Sequence, residues 1–315
     1  MLKRAIIPSR FVIYAVVLTV VSLGLGCTSS KARTTYSLYF LGGQSNMDGY
    51  GYVGELPAEL NAPVSGVRIF HGNSLPDDSS GGGLGIWSEL QPGHGVGFTY
   101  DGTANSYSER FGVELTFGLS LREMTPDANI AIIKYSRGGT SIDAKAARDF
   151  GSWDPGYDDG AGVNQFDHFI ETVQNAMAET DIDGDGRADT LVPSGIIWMQ
   201  GESDGDVSQE IAERYLENLT ELMGLIRDTF GAEEMPVVIG RISDSGQDEE
   251  TGVVWEFGDV VRAAQAAYVE GDGFAALVTS TDEYGYSDRW HYDTEGYIDL
   301  GRKFAEAVVG VGGER

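Results

Sequence analysis

Short, almost continuously apolar runs alternate along this chain with longer stretches in which apolar residues return at helical spacing. The runs fall at residues 36–41, 67–70, 129–135, 194–200, 236–241 and 275–280. The helical stretches are 109–124, 163–179, a long one marked by Ile211, Tyr215, Leu219, Leu222 and Ile226, then 254–269 and 294–309. Strands that are apolar on both faces need cover on both faces, and amphipathic crossover helices supply it. The pattern therefore predicts an α/β fold with a parallel sheet between helical layers. At 315 residues and 41% hydrophobic the chain can fill one large domain of this kind. No internal repeat and no convincing second domain interrupt it.

In such sheets ligands bind beyond the carboxyl ends of the strands. Four polar clusters sit at those ends: Gln44-Ser45-Asn46, Ser136-Arg137-Gly138-Gly139-Thr140, Gln200-Gly201-Glu202-Ser203-Asp204, and the segment after Ser280. Ser45 stands where the first strand runs out into the Gly-rich turn Gly42-Gly43, a place suited to a nucleophile with outward-pointing N–H groups. On its own the stretch also reads as a plain Gly/Ser/Asn turn. Residues 49–108 are rich in Gly, Asp, Ser and aromatics, and an insertion so long is expected to build one wall of a cleft.

A serine nucleophile needs a base, and the chain offers four histidines: His71, His94, His168 and His291. Only His291 has a carboxylate three residues upstream in a turn-like context, in Asp288-Arg289-Trp290-His291. That spacing lets one turn hold the imidazole through Asp288 and present its other nitrogen to Ser45. Oxyanion donors are sought in the Ser45 N–H, in the N–H of Gly138 or Gly139, and in the side-chain amide of Gln200. Tight-turn and backbone-capping roles compete for the last two. Glu202 is expected to support the Gln44–Asn46 loop by accepting backbone hydrogen bonds. Glu202 and Asp204 also raise a glycosidase reading, which leaves the serine and histidine unexplained.

Taken together, Gly43-Gln44-Ser45-Asn46-Met47, Gly138-Gly139-Thr140-Ser141, Trp198-Met199-Gln200-Gly201-Glu202-Ser203-Asp204 and Asp288-Arg289-Trp290-His291 resemble the SGNH hydrolase superfamily. The resemblance lies in its branch of sialate O-acetylesterases and acetylxylan esterases. Arg110-Phe111-Gly112-Val113-Glu114 and Val261-Arg262-Ala263-Ala264-Gln265 are similar to that branch too, so the likeness spans about residues 36–309. It implies a three-layer α/β/α sandwich with a mainly parallel, flavodoxin-like sheet. It also implies Ser45 as nucleophile, His291 as general base and Asp288 as its partner. Ser45, Gly139 and Gln200 would form the oxyanion hole, with Gln44, Asn46 and Glu202 in support. The superfamily's generic third block offers an asparagine where this chain has Gln200.

The expected activity is removal of O-acetyl groups from carbohydrates without a cofactor. An esterase for lipid or other small acyl esters is the alternative within that chemistry. A glycan-binding surface lipoprotein without turnover is the alternative outside it. Trp87, Trp153 and Trp290 are candidates to stack on sugar rings, with ordinary packing as the competing role. Arg137, Arg241 and Arg289 are the cations that would favour an anionic substrate locally.

Residues 1–26 read as a signal peptide, with Lys3, Arg4 and Arg10 before an apolar stretch from Phe11 to Val21. Leu23-Gly24-Leu25-Gly26 before Cys27 resembles a bacterial lipoprotein cleavage site, so Cys27, the only cysteine, is the expected lipid attachment point of an envelope lipoprotein; an ordinary signal peptide cleaved nearby, giving a secreted or periplasmic protein, is the alternative. A polar tether would fill 27–34 and the esterase domain 35–315. The formal charge is −28, and losing the three basic residues of the leader takes it to −31. Such a surface disfavours nucleic acid and anionic membrane as partners. Finally, Asp181, Asp183, Asp185 and Asp189 follow the spacing of a calcium loop with Gly186 at its sixth position, but Val192 replaces the closing Glu. A plain acidic turn is the competing reading. Lying before a strand, it belongs at the opposite sheet edge from Ser45.

Overall fold

The computed structural model describes residues 33–77, 79–158 and 163–313. The leader, Cys27 and most of the tether lie outside them. The central sheet is built from β1 (Thr35–Gly43), β2 (Val67–His71), β3 (Trp87–Glu89), β4 (Asn129–Ser136), β5 (Thr190–Met199), β6 (Val237–Gly240) and β7 (Ala275–Val278). Their order across the sheet is β7-β6-β5-β1-β4-β2-β3. Every pairing is parallel except β2 with β3. Without that edge pair, five parallel strands wind outward from β1 in both directions, which is the flavodoxin-like order. The insertion therefore widens the sheet at one edge, where β3 was not anticipated from the sequence.

The main helices are α1 (Glu114–Met124), α2 (Gln165–Ala178), α3 (Gln209–Phe230), α4 (Gly258–Gly271) and α5 (Thr294–Gly313). Consecutive strand residues point to opposite faces, and β1 shows which helices cover which. Tyr39 meets Phe117 of α1 edge-on, at 5.4 Å between centroids, while Phe40 packs on Phe169 of α2 and Phe230 of α3. α5 lies against α1, and α4 against α3. Ends are set by local chemistry. Asn164 accepts from Asp167 N to start α2, Ser208 accepts from Ile211 N to start α3, and Gly231 in the left-handed region ends α3. Two helices start later than their periodicity suggests. Arg110–Phe111 is drawn into a short antiparallel pair with Gly51–Tyr52, so α1 begins at Glu114, and α4 begins at Gly258.

Along β1, Gly43 is level with Ser136 of β4 and Met199 of β5. A Cβ on Gly43 (φ 145°) would stand 2.0 Å from the Met199 carbonyl oxygen. Glycine there lets the strands close up, and Gln44 N then donates to Met199 O at 2.9 Å. Three of the four polar clusters thus leave one sheet edge side by side, at the point where the winding reverses around β1.

Candidate active site

Ser45 opens a single helical turn, Ser45–Asp48, directly beyond β1. It lines a cleft of about 490 Å³ together with Gly138, Gly139, Trp290 and His291. The loop before α5 carries the histidine. There Asp288 Oδ1 accepts from the N–H of Trp290 (2.8 Å) and of His291 (2.9 Å), which winds the turn. Its Oδ2 lies 2.8 Å from His291 Nδ1. With the Nδ1 proton held by Asp288, the Nε2 lone pair remains for the cleft. Tyr50 stacks on the imidazole, ring centroids 3.5 Å apart and planes 3° from parallel. Burial pushes the His291 pKa below its ordinary value, and the Asp288 carboxylate pulls partly the other way. Burial acts to raise Asp288, but its hydrogen bonds with His291 and the backbone hold it below the ordinary carboxylate range.

Asn46 ties the serine turn to the histidine loop. Its Nδ2 donates to Glu202 Oε1 (2.8 Å) and to the Trp290 carbonyl (3.2 Å), and its Oδ1 accepts from Tyr297 OH (2.8 Å). Gln44 Oε1 accepts from the N–H of Gly201 (3.2 Å) and Ser203 (3.5 Å). Glu202 does support this loop, but through the Asn46 side chain instead of backbone groups. Burial pushes its carboxyl up to about 7, with the Asn46 hydrogen bond acting against the rise.

Gly139 sits at φ 71°, and a Cβ there would stand 2.5 Å from the Phe150 ring. Glycine is therefore required on two counts. No hydrogen bond takes up the N–H of Ser45 or of Gly139 among the described residues. Gln200 is different and corrects an expectation. It is buried away from the cleft lining. Its Nε2 donates to Thr140 O (3.2 Å) and Asp204 Oδ2 (2.7 Å), and its Oε1 accepts from Tyr215 OH (3.1 Å). An amide with both hydrogens spent inward braces the glycine block and is not placed as an oxyanion donor. Asp204 extends this brace by accepting from the N–H of Ile142 (3.0 Å) and Asp143 (2.9 Å).

Of the three tryptophans singled out in the sequence, only Trp290 lines the cleft. Trp153 is fully buried and packs on Trp198, while Trp87 donates to Ala176 O near the sheet's outer edge. Trp255, Phe150, Tyr50 and Asp77 line the cleft unforeseen. Each comes from an irregular segment, where no periodicity tells which side chain faces inward. At the opposite edge, one oxygen each of Asp181, Asp183 and Asp189 lie within 4.8 Å of one another. Asp185 is exposed and pairs with Arg187 instead, so it is not part of that group.

A flavodoxin-like sheet with a serine after its first strand and a His–Asp pair before its last helix has the layout of an α/β/α ester hydrolase. The profile of the family described as "Carbohydrate esterase, sialic acid-specific acetylesterase" matches residues 35–310. The chain belongs to this family, and so to the carboxylic ester hydrolases. No curated relative matches the chain. Among solved structures, an Arabidopsis thaliana protein superposes with a TM-score of 0.59 at 20% identity, over 89% of this chain and 99% of that one. NanS gives 0.58 at 15%, over 90% and 99%. A carbohydrate acetylesterase from Xanthomonas citri gives 0.56 at 18%, over 89% and 57%. At these identities the likeness is one of fold.

Proposed function

We propose that this chain is a serine esterase that removes O-acetyl groups from carbohydrate hydroxyls through an acyl-enzyme. Ser45 Oγ attacks the acetyl carbonyl while His291 Nε2 takes its proton. The oxyanion lies against the N–H groups of Ser45 and Gly139. His291 returns the proton to the leaving sugar oxygen, and the same base then activates the water that releases acetate. Every step uses side-chain and backbone groups of the chain itself. The reading is carried by one observation: Ser45 and a histidine with Asp288 2.8 Å from its far nitrogen line the same cleft. Family membership supports the acetyl ester as the bond cleaved. The leader-like first 26 residues and Cys27 support an exported, envelope-attached enzyme.

Hydrolysis of an aryl acetate by the wild type and by Ser45→Ala tests it. The expected result is turnover in the wild type and a loss of about 10⁴-fold or more in a folded variant. Equal turnover in both, or none in either, overturns the reading.

A further inference from the structure

The segment that carries Ser45 reaches the base twice. Asn46 holds the histidine loop through the Trp290 carbonyl (3.2 Å), and Tyr50 lies on the imidazole ring itself. Asp288 alone leaves that ring a freedom. It grips one atom, Nδ1, and its side chain is 43% exposed, so the ring can still turn about the hydrogen bond. A flat partner removes this freedom by fixing the ring plane. Of the two rings beside His291 among the described residues, Trp290 meets it edge-on at 6.3 Å. Tyr50 lies face to face, centroids 3.5 Å apart and planes 3° from parallel.

The chain places Tyr50 firmly. Gly49 N donates to Ser45 O (2.9 Å) and closes the serine turn. A Cβ on Gly49 (φ 105°) would stand 2.2 Å from Gly112 Cα, so the chain passes that point only as glycine, and Tyr50 comes next. The Tyr50 carbonyl accepts from Arg110 Nη1, and the Arg110 guanidinium lies 3.4 Å from the centre of the Tyr52 ring. Tyr52 N in turn donates to Thr294 Oγ1 (3.0 Å), where α5 begins.

The geometry also suits a charge. Two neutral aromatic rings prefer offset or edge-on contact to a full-face stack, whereas a cation is drawn to the centre of an aromatic face. His291 becomes that cation each time it takes a proton, in a place where burial disfavours the charge. The charged groups acting on it are Asp288 on its own loop, Asp77 of the insertion and Arg110. A substitution at Tyr50 removes none of them.

Resting on the esterase reading above, we propose that Tyr50 is a positioning residue for the reaction. Its ring holds the plane of His291 so that Nε2 faces Ser45, and its face stabilises the imidazolium formed in acylation and again in deacylation.

The experiment follows aryl acetate hydrolysis between about pH 4.5 and 9 in the wild type, Tyr50→Leu and Tyr50→Phe. Tyr50 also lines the cleft, so the kinetic constants must separate two roles. Losing a mere substrate contact lowers kcat/KM and leaves kcat; losing the base's support lowers both, because both half-reactions use His291. In Tyr50→Leu, kcat and kcat/KM are expected to fall together by about 10- to 100-fold. The acid limb should lie about 0.5 pH unit lower, since the imidazolium loses its aromatic face. Tyr50→Phe restores the face and should recover most of the loss and the position of the limb. An unchanged kcat in folded Tyr50→Leu, or no recovery in Tyr50→Phe, overturns the proposal. A limb that stays or moves up in Tyr50→Leu overturns the stabilisation of charge. Should Tyr50→Leu not fold, Tyr50→Met, which adapts more readily to a packed site, takes its place with the same expectations. Absence of hydrolysis in the wild type strikes the esterase reading itself, whereas an active wild type matched by Tyr50→Leu strikes only this inference.

Discussion

At the scale of single residues, two titrating groups bear different consequences. His291 must be neutral to act as a base, and burial holds its pKa below the ordinary 6.5. Activity should therefore rise with pH along an acid limb centred below 6.5. Asp288 pulls that pKa upward, so Asp288→Asn should move the limb lower still. It should also cut kcat/KM by about 10²- to 10⁴-fold as the imidazole loses its anchor. A pH–rate profile of both proteins checks the pair of effects. Glu202 acts on stability instead. Its folded pKa of about 7 exceeds the ordinary 4.5, so the folded state holds the proton more tightly than the unfolded chain does. Stability contributed by the protonated form is fully present below 4.5 and is lost as pH rises through 7. The loss is at most about 3 kcal/mol. Glu202→Gln keeps an oxygen for Asn46 and removes the titration. The fall in its melting temperature between pH 5 and pH 8 should be shallower than that of the wild type.

At the scale of elements, the strands and most helices could be read directly, because β1, β4 and β5 are apolar on both faces and periodicity marks α2, α3 and α5. That Ser45 and His291 meet in one cleft, with Asp288 beside the imidazole, was also legible, since each follows a recognisable element or sits in a short turn. Gln200 stands at the strand end expected of it, but the direction of its amide depends on Thr140, Asp204 and Tyr215, whose placement only the fold decides. Lys134 carries a signal of another kind: a lysine inside an apolar strand has to be paired. Its ammonium is fully buried on β4 and donates to Asp48 O (2.7 Å), His94 O (2.8 Å) and Glu114 Oε2 (2.7 Å). One side chain thereby clamps the end of the Ser45 turn, an inserted loop and the start of α1. Lys134→Met would leave Glu114 buried without its partner and should cost about 3–5 kcal/mol in urea unfolding. Adding Glu114→Gln should recover part of that loss; no recovery would mean the carbonyl contacts dominate.

At the scale of the whole molecule, 49 acidic against 21 basic residues leave a formal charge of −28. This surplus was plain in the sequence, but how the structure distributes it was not. Several basic side chains are spent on local pairs, such as Arg214 with Asp143 and Glu210, and Arg227 with Asp272. The surplus acids have no basic partner to match them, and folding brings them closer than the unfolded chain does. Self-repulsion of this kind destabilises the compact state and is screened by salt. Salt also weakens the surface pairs, but exposed pairs such as Lys303–Glu306 contribute only about 0–1 kcal/mol each. The repulsive term should win. The melting temperature is expected to rise by about 5 °C between 10 mM and 0.5 M NaCl. Most of the rise should fall below about 0.15 M, where the screening length drops from ~30 Å to ~8 Å. Calorimetry across that series is the check. A flat or falling curve would mean that attractive pairs, not the surplus of carboxylates, set the electrostatic balance.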